Sequence, residues 1–255
     1  MFPYFEQPTL QIGPVTLHSF GALVALGALL GYGMLVRRAG QRGLDANLAA
    51  DLALWMMIPG FFTAHLAFVF FYSPPGRVLE DPLSLVRVWD GISSIGGIAG
   101  GILGGWVLLR RRKLSSGEIW KYIDAVAYAF PFAWILGRAG CSVAHDHPGI
   151  ETASWLAVQY PDGARFDLGL LEFFYTIVIV GIFLLLDRRP RPTGFFFTLF
   201  MLLYGPVRFY LDTLRIDEVR HFGLTFAQYG SVVAVLVGIV TLILIMKRRL
   251  VPAAQ

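Results

Sequence analysis

The chain has 255 residues, of which 56% are hydrophobic and 15% charged, and its formal net charge is +4. Soluble domains carry roughly 25% charged residues, so this composition excludes an ordinary soluble protein and indicates one that spans a membrane. The single cysteine excludes an intramolecular disulfide and a cysteine-rich metal module. The basic residues lie in short clusters at the ends of apolar runs, which argues against nucleic-acid binding.

Seven apolar runs of about 20 residues are long enough to cross a bilayer as helices. In chain order they are Val15–Val36, Leu48–Tyr72, Gly91–Leu109, Tyr122–Val143, Leu168–Leu186, Gly194–Leu211 and Leu224–Met246. The third run is rich in glycine, so part of it could be broken or re-entrant. The opening lacks the basic region of a secretory signal, and no cleavage is expected. The sequence therefore predicts an all-α integral membrane protein with one domain, residues 1–255.

Basic residues alternate between the predicted loops. Of the 21 lysines and arginines, 14 follow the first, third, fifth and seventh runs. Because cytoplasmic loops carry the excess of positive charge, this alternation places the N-terminus outside and the C-terminus in the cytoplasm.

Ionisable side chains lie within or at the ends of four of the runs. Such a group is costly in a bilayer unless it faces protein or water, so each one is a candidate for function. They are His65, Arg138, Glu172, Arg208 and Asp212. With the predicted orientation, all of them fall toward the outer half of the membrane.

Helical spacing arranges the charged residues in two stripes. One is Arg138, Cys141 and His145, if the helix continues that far, and the other is Arg208, Asp212 and Arg215. Two guanidinium groups near the head-group region suit a phosphate, because each can donate two parallel hydrogen bonds. The pattern therefore favours an anionic phospholipid as the ligand.

A structural interpretation of the same charges stays open. Arg208 could pair with Asp212 and Arg138 with Glu172 as ion pairs, or the arginines could extend to the membrane interface.

The segment CSVAHDHPG, Cys141 to Gly149, is the most polar short stretch at a predicted membrane boundary, and its proline and last glycine are expected to end the helix. His145 near Asp146 could act as a general base, or Cys141 could act as a nucleophile. Cys141, His145 and His147 could hold a metal, but their spacing matches no common motif and no metal is predicted. A buried inert cysteine and histidines that cap the helix are the structural alternatives.

The glycines of the third run recur near every fourth position. Close helix packing is predicted for Gly100, Gly101, Gly104 and Gly105. Gly96 and Gly97 are predicted to let a lipid head group approach the backbone.

Several segments resemble the prolipoprotein diacylglyceryl transferases of bacterial inner membranes. They are QIGPVTLHSFGALVALGALLGYG, WDGISSIGGIAGG (Trp89–Gly101), GRAGCSVAHDHPG (Gly137–Gly149), YGPVRFYLDTLR (Tyr204–Arg215) and LTFAQYGS (Leu224–Ser231). The resemblance implies transfer of a diacylglyceryl group from phosphatidylglycerol to the thiol of a lipobox cysteine in a secreted preprotein, on the outer side of the membrane. No cofactor is expected.

The resemblance also implies roles for particular residues. The residues expected to bind the phospholipid are Arg138, Arg208, Gly96, Gly97, Gly137 and Gly140. The residues expected to support them are Glu172, Asp212, Arg215 and Gln228. The thiol proton would be taken by His145 or His65, with Cys141 and Asp146 as further catalytic candidates.

The chain also departs from the family's pattern. Ile95 stands where the family has histidine before two glycines, and Cys141, Ala144 and Asp146 replace two asparagines and a glutamate. Further replacements are Phe20 for a tyrosine, His65 for an arginine and Asp212 for a glutamate. Three hypotheses follow: a divergent transferase, a transferase that uses Cys141 as a covalent nucleophile, or a non-catalytic phospholipid-binding relative.

Overall fold

The structure is a computed structural model that describes residues 1–13, 15–74, 76–88, 91–216 and 220–250. Trp89 and Asp90, which open the glycine-rich segment, lie outside these ranges. The helices are α1 Ser19–Gln41, α2 Ala46–Phe71, α3 Arg77–Glu80, α4 Ser94–Arg111, α5 Ser116–Ala144, α6 Leu168–Leu186, α7 Phe195–Thr213 and α8 Phe226–Leu250.

Among the described residues, six helices are long and apolar enough to cross a membrane. This confirms the class of all-α integral membrane protein. The six are α1, α2, α5, α6, α7 and α8, and they coincide with six of the seven predicted spans. The glycine-rich α4, which corresponds to the third predicted span, has 18 residues and is not among the six.

Short strands accompany the helices, and the sequence analysis did not predict them. They are β1 Phe2–Pro3, β2 Thr9–Ile12, β3 Val15–His18, β4 Pro148–Glu151, β5 Val158–Tyr160 and β6 Gly163–Asp167. One sheet has the order β1-β5-β6-β4, with β1 parallel to β5, and the second is the antiparallel pair β2-β3. Val15–His18, predicted as the start of the first span, is therefore a strand, and α1 begins at Ser19.

The chain forms two compact units, with boundaries inside α1 and α5. The first unit is Met1–Met34 and Ile123–Gln255, and the second is Leu35–Tyr122. The first unit has an aromatic core formed by α5, α6 and α7, which contains Tyr128, Ile179, Phe183, Phe196 and Phe200. The α7 and α8 helices approach closely at Gly205, where a Cβ would lie 2.8 Å from the Val235 side chain.

The second unit is held together by close packing of α4 on α2. A Cβ on Gly100 would meet the Pro59 carbonyl oxygen at 2.8 Å, and one on Gly104 would collide with the backbone oxygen of Trp55. Cβ atoms on Gly101 and Gly105 would also touch α2. The prediction that these four glycines serve helix packing is confirmed, and the collisions at Gly100 and Gly104 show that only glycine fits at those two positions.

Candidate active site

Two arginines from different helices of the first unit meet on one carboxylate. The Nε atom of Arg138, near the end of α5, lies 3.0 Å from Oε1 of Glu172 on α6. The Nη1 atom of Arg208, on α7, lies 3.5 Å from Oε2 of the same residue. All three side chains are largely buried. A buried charge must be paired, so Glu172 holds the two guanidinium groups side by side despite their mutual repulsion.

Aromatic residues fix the position of Glu172. The indole Nε1 of Trp134 donates a hydrogen bond to Oε1 at 3.2 Å, and the hydroxyl of Tyr204 donates to the same oxygen. The guanidinium of Arg138 lies 4.4 Å from the centre of the Trp134 ring. Since stacking on an aromatic face restricts the plane of a guanidinium, these contacts orient Arg138 as well as its partner.

A second carboxylate, Asp212, lies between Arg208 and Arg215. Its Oδ1 atom is 3.0 Å from Nη2 of Arg208 and 3.8 Å from Nε of Arg215, and its side chain is fully buried. The hydroxyl of Thr225 donates a hydrogen bond to Oδ2. The predicted stripe of Arg208, Asp212 and Arg215 therefore exists. We refer to Arg138, Arg208 and Arg215 as the arginine cluster.

Gln228 supports this arrangement through the start of α8. The N–H of Thr225 donates to Oε1 of Gln228 at 3.0 Å, and the N–H of Gln228 donates to Oγ1 of Thr225 at 3.1 Å. This reciprocal pair is a capping box, which satisfies two N–H groups at a helix start. Sequence reasoning missed Thr225, although its spacing three residues before a glutamine is the known signal for such a cap.

The first predicted stripe ends one residue early. The α5 helix ends at Ala144, because His145 adopts a left-handed conformation with φ of 50° that stops the helix. Cys141 remains in the stripe, with Sγ 3.7 Å from Nη1 of Arg138. His145 does not join it, and Pro148, expected at the helix end, instead begins β4.

His145 contacts a carboxylate that the sequence analysis did not identify. Its Nδ1 atom lies 2.6 Å from Oδ2 of Asp167, which also accepts a hydrogen bond from the Tyr160 hydroxyl at 3.0 Å. The Oδ1 atom of Asp167 accepts from the N–H of Leu170 at 2.9 Å and so caps α6. The expected partner was Asp146. An aspartate just before an apolar run is a helix-start signal that could have drawn attention to Asp167.

Asp146 and His147 instead lie near the arginine cluster. Burial, followed by the charges of the cluster, lowers the pKa of His147 to about 3, and burial raises the pKa of Asp146.

The Sγ of Cys141, a carboxylate oxygen of Asp146 and a ring nitrogen of His147 lie within 4.8 Å of one another. The metal set considered from the sequence contained His145, which is not in this group. Three neighbouring guanidinium groups favour an anion here over a cation.

His65 belongs to the second unit and is fully buried. Its Nδ1 atom lies 3.0 Å from the carbonyl oxygen of Gly91, and its Nε2 atom lies 2.8 Å from that of Ser84. Both ring nitrogens therefore face backbone oxygens inside the protein. These contacts hold the segment before α4 to α2, and the alternative that His65 is the base stays a prediction.

The glycines expected at the lipid differ in their surroundings. A Cβ on Gly96 would collide with Ala67 and with the carbonyl oxygen of Thr63, so the lack of a side chain there permits packing of α4 on α2, and its predicted role at a head group stays a prediction. A Cβ on Gly97 would make ordinary contacts, and its predicted role stays a prediction.

Two more glycines were expected at the lipid, and both lie on α5. A Cβ on Gly140 would lie 3.1 Å from the Phe20 ring, so the lack of a side chain here allows α1 to pack closely on α5. Gly137 has open space on its Cβ side, and its role in lipid binding stays a prediction.

Comparison with known proteins gives a consistent family. The family model described as prolipoprotein diacylglyceryl transferase matches residues 7–244. The phosphatidylglycerol-prolipoprotein diacylglyceryl transferase of Frankia alni is 30% identical over 98% of this chain and 68% of its own length. Those of Pasteurella multocida and Glaesserella parasuis are each 32% identical, over 90% and 84% of this chain and 86% and 81% of their own lengths. The resemblance is confirmed, and the chain belongs to the prolipoprotein diacylglyceryl transferase family.

Proposed function

We propose that the protein transfers the diacylglyceryl group of phosphatidylglycerol to the thiol of a lipobox cysteine in a prolipoprotein. One observation carries the proposal for the site: Arg138 and Arg208, from different helices, share Glu172 and so form one pair of adjacent guanidinium groups. Such a pair suits a phosphodiester, because each guanidinium can bind two oxygens and keeps its charge. The names of the relatives supply the donor and the acceptor.

The reaction needs positive charge where the leaving group departs. The thiol loses its proton to a base, and its sulfur forms a bond to the terminal glycerol carbon of the diacylglyceryl group. The bond from that carbon to the phosphate oxygen breaks, and its electron pair leaves with glycerol phosphate. The developing negative charge on that oxygen falls where the arginine cluster would stabilise it, since fixed charges aimed at a departing anion lower the barrier.

The ion pairs with Glu172 and Asp212 are compatible with this role. The structural alternative from the sequence analysis named the same pairs, Arg138 with Glu172 and Arg208 with Asp212, and both have a shortest distance of 3.0 Å. A guanidinium carries five N–H donors, so one or two carboxylate contacts orient it and leave donors for a ligand. The carboxylates thus keep the arginines in place before the lipid arrives.

The proposed setting is the inner membrane of a bacterium, with the site toward the periplasmic face. With α4 counted as a seventh span, the 14 lysines and arginines that follow alternate spans support a cytoplasmic C-terminus. With that orientation, the end of α5 and the end of α7 face the outer leaflet. The donor lipid and the secreted acceptor would then reach the arginine cluster from the same side.

Substitution of the two arginines tests the proposal. The protein is reconstituted in vesicles that contain phosphatidylglycerol, and a lipobox peptide is followed by mass spectrometry together with released glycerol phosphate. Arg138→Lys and Arg208→Lys keep the charge but lose the planar fork, so we expect each to lower turnover by about 100-fold. The matched control is Arg165→Lys, because Arg165 pairs with the exposed carboxylates of Glu151 and Asp162.

The outcomes separate the three hypotheses. Turnover at the wild-type rate in Arg138→Lys would contradict the proposal that the two arginines bind the phosphate. A wild-type protein that retains phospholipid but releases no glycerol phosphate would support a non-catalytic relative. A covalent adduct on Cys141, lost together with activity in Cys141→Ser, would support the nucleophile hypothesis.

A further inference from the structure

The imidazole of His145 has one nitrogen engaged and one unpaired. Nδ1 contacts Asp167, whereas Nε2 is buried and, within the described ranges, has no hydrogen-bond partner. The His145 side chain as a whole is only 5% exposed. Buried polar atoms in folded proteins are nearly always paired, so an unpaired ring nitrogen in a buried group indicates a site for a ligand or for chemistry.

The contacts of Asp167 determine which nitrogen carries the proton. Its carboxylate accepts hydrogen bonds from the Tyr160 hydroxyl and from the N–H of Leu170, and its own side chain is fully buried. Burial and the nearby Asp167 carboxylate raise the pKa of Tyr160, which keeps that hydroxyl protonated and donating. A carboxylate surrounded by donors is an acceptor only, so Nδ1 is the nitrogen of His145 that donates to it, and in a neutral imidazole the other nitrogen, Nε2, is then the acceptor.

Aromatic rings surround the imidazole. The ring centres of Tyr4, Phe5 and Tyr160 lie 4.8, 4.9 and 5.6 Å from that of His145. The Asp167 carboxylate would stabilise the imidazolium that forms when Nε2 takes a proton, as the aspartate of a histidine–aspartate pair does. Tyr4 and Phe5 are partly exposed. If their two rings moved aside, the thiol of the acceptor cysteine could reach Nε2.

The neighbouring histidine is a poorer base. The pKa of His147 is lowered to about 3 by burial and the arginine cluster, so it would not hold a proton at neutral pH. Glu172 and Asp212 are already paired with arginines. Of the acidic and histidine side chains described in this region, His145 combines an unpaired nitrogen with a carboxylate that stabilises its charged form.

We propose that Nε2 of His145 is the base that takes the thiol proton of the acceptor cysteine, with Asp167 as its positioning residue. The inference rests on the proposed function. The proton moves from the thiol to Nε2, the sulfur bonds to the glycerol carbon, and the electron pair of the broken carbon–oxygen bond leaves on glycerol phosphate. The imidazolium then returns its proton to water or to the phosphate.

The first test uses substitutions that keep the shape of the pair. His145→Gln can still donate to Asp167 but cannot take a proton. Asp167→Asn keeps an oxygen for the Leu170 N–H, and its amide nitrogen donates to Nδ1, which moves the histidine proton to Nε2. We expect both variants to lower kcat by about 100-fold or more. His221→Gln, a change of an exposed histidine in another loop, is the matched control.

A structural role would give a different result. We expect KM for phosphatidylglycerol to stay within about twofold of wild type in both variants, because the arginine cluster is unchanged. Thermal unfolding of each purified variant in detergent is recorded beside the kinetics. Equal loss of kcat, lipid affinity and thermal stability would indicate a purely structural pair and would overturn the inference.

Chemical rescue provides the second test. Because His145 has a φ of 50°, His145→Gly suits the backbone and leaves a space of imidazole size between the aromatic rings. We expect added imidazole to restore a measurable part of the lost kcat in this variant and to leave Arg138→Lys unchanged. Full activity of His145→Gln, or a folded His145→Gly variant that gains nothing from imidazole, would overturn the inference. A wild-type protein that releases no glycerol phosphate would instead overturn the proposed function.

Discussion

Glu172 determines the geometry of the two arginines that it contacts. Its two oxygens touch guanidinium groups from different helices, and Trp134 and Tyr204 hold it from another side. Without a shared carboxylate, two buried positive charges would repel each other and move toward water. The site is thus organised before any lipid binds, which is the condition under which fixed charges lower a reaction barrier most.

At the residue scale, the sequence predicts the charged groups but not all of their partners. Arg138, Arg208 and Glu172 are apparent because an ionisable residue inside an apolar run is costly and therefore conspicuous. Asp167 and Tyr160 are not, because polar residues in loops and at helix starts are common. Nothing in the spacing of residues 145 and 167 indicates a contact, since it is created by the fold of β4 to β6.

His147 predicts an acid-sensitive stability. Its pKa is about 3 in the folded protein and near 6.5 in an unfolded chain. Between these values the unfolded state binds more protons, so the free energy of unfolding falls as the pH falls through this window. We expect His147→Gln to make the loss of thermal stability in detergent between pH 6.5 and 4 smaller than in wild type.

His221→Gln serves as the control, because it removes an exposed histidine by the same substitution. Parallel curves of melting temperature against pH for wild type and His147→Gln would show that His147 does not titrate in the unfolding transition.

At the element scale, the small sheet after α5 positions the proposed base, although the sequence analysis predicts only helices. Strands β4 to β6 have three to five residues each, too short for an alternating pattern to be recognised. They connect the end of α5 to the start of α6 and so bring His145 and Asp167 together. The helices were predictable because each long apolar run extends over several turns.

The packing of α4 on α2 predicts the effect of a single methyl group. In Gly104→Ala the new Cβ would collide with the backbone oxygen of Trp55, which cannot move as a side chain can. We expect a loss of about 1 to 3 kcal/mol or more in the free energy of unfolding. Thermal unfolding in detergent measures it.

Gly33→Ala is the matched control, because Gly33 lies in α1 with open space around its Cβ position. Because alanine lowers the conformational entropy of the unfolded chain, this change should be neutral or should stabilise the protein by about 0.4 to 1 kcal/mol. Equal melting temperatures for Gly104→Ala and Gly33→Ala would contradict the close approach of the two helices.

At the scale of the whole molecule, composition and charge predict the membrane class and an orientation. The class is confirmed by the six long apolar helices, whereas the orientation stays a prediction. We expect green fluorescent protein joined after Gln255 to fluoresce in cells and alkaline phosphatase at the same place to be inactive, because positive loops remain in the cytoplasm. Alkaline phosphatase inserted after Ser154, between β4 and β5, should be active.

The reverse pattern of reporter activity would place the arginine cluster at the cytoplasmic face. A secreted acceptor could not then reach it from outside. The orientation experiment therefore bears directly on the proposed function as well as on the topology.

The sulfur of Cys141 lies 3.7 Å from the guanidinium of Arg138, and it is the sole thiol in the chain. If the arginine cluster binds the lipid phosphate as proposed, a maleimide that reaches this atom enters the phosphate site. The rate at which maleimide labels Cys141 would then report whether a lipid occupies that site in the unmodified protein. We expect labelling to slow when an anionic lipid is bound and to recover when the lipid is removed.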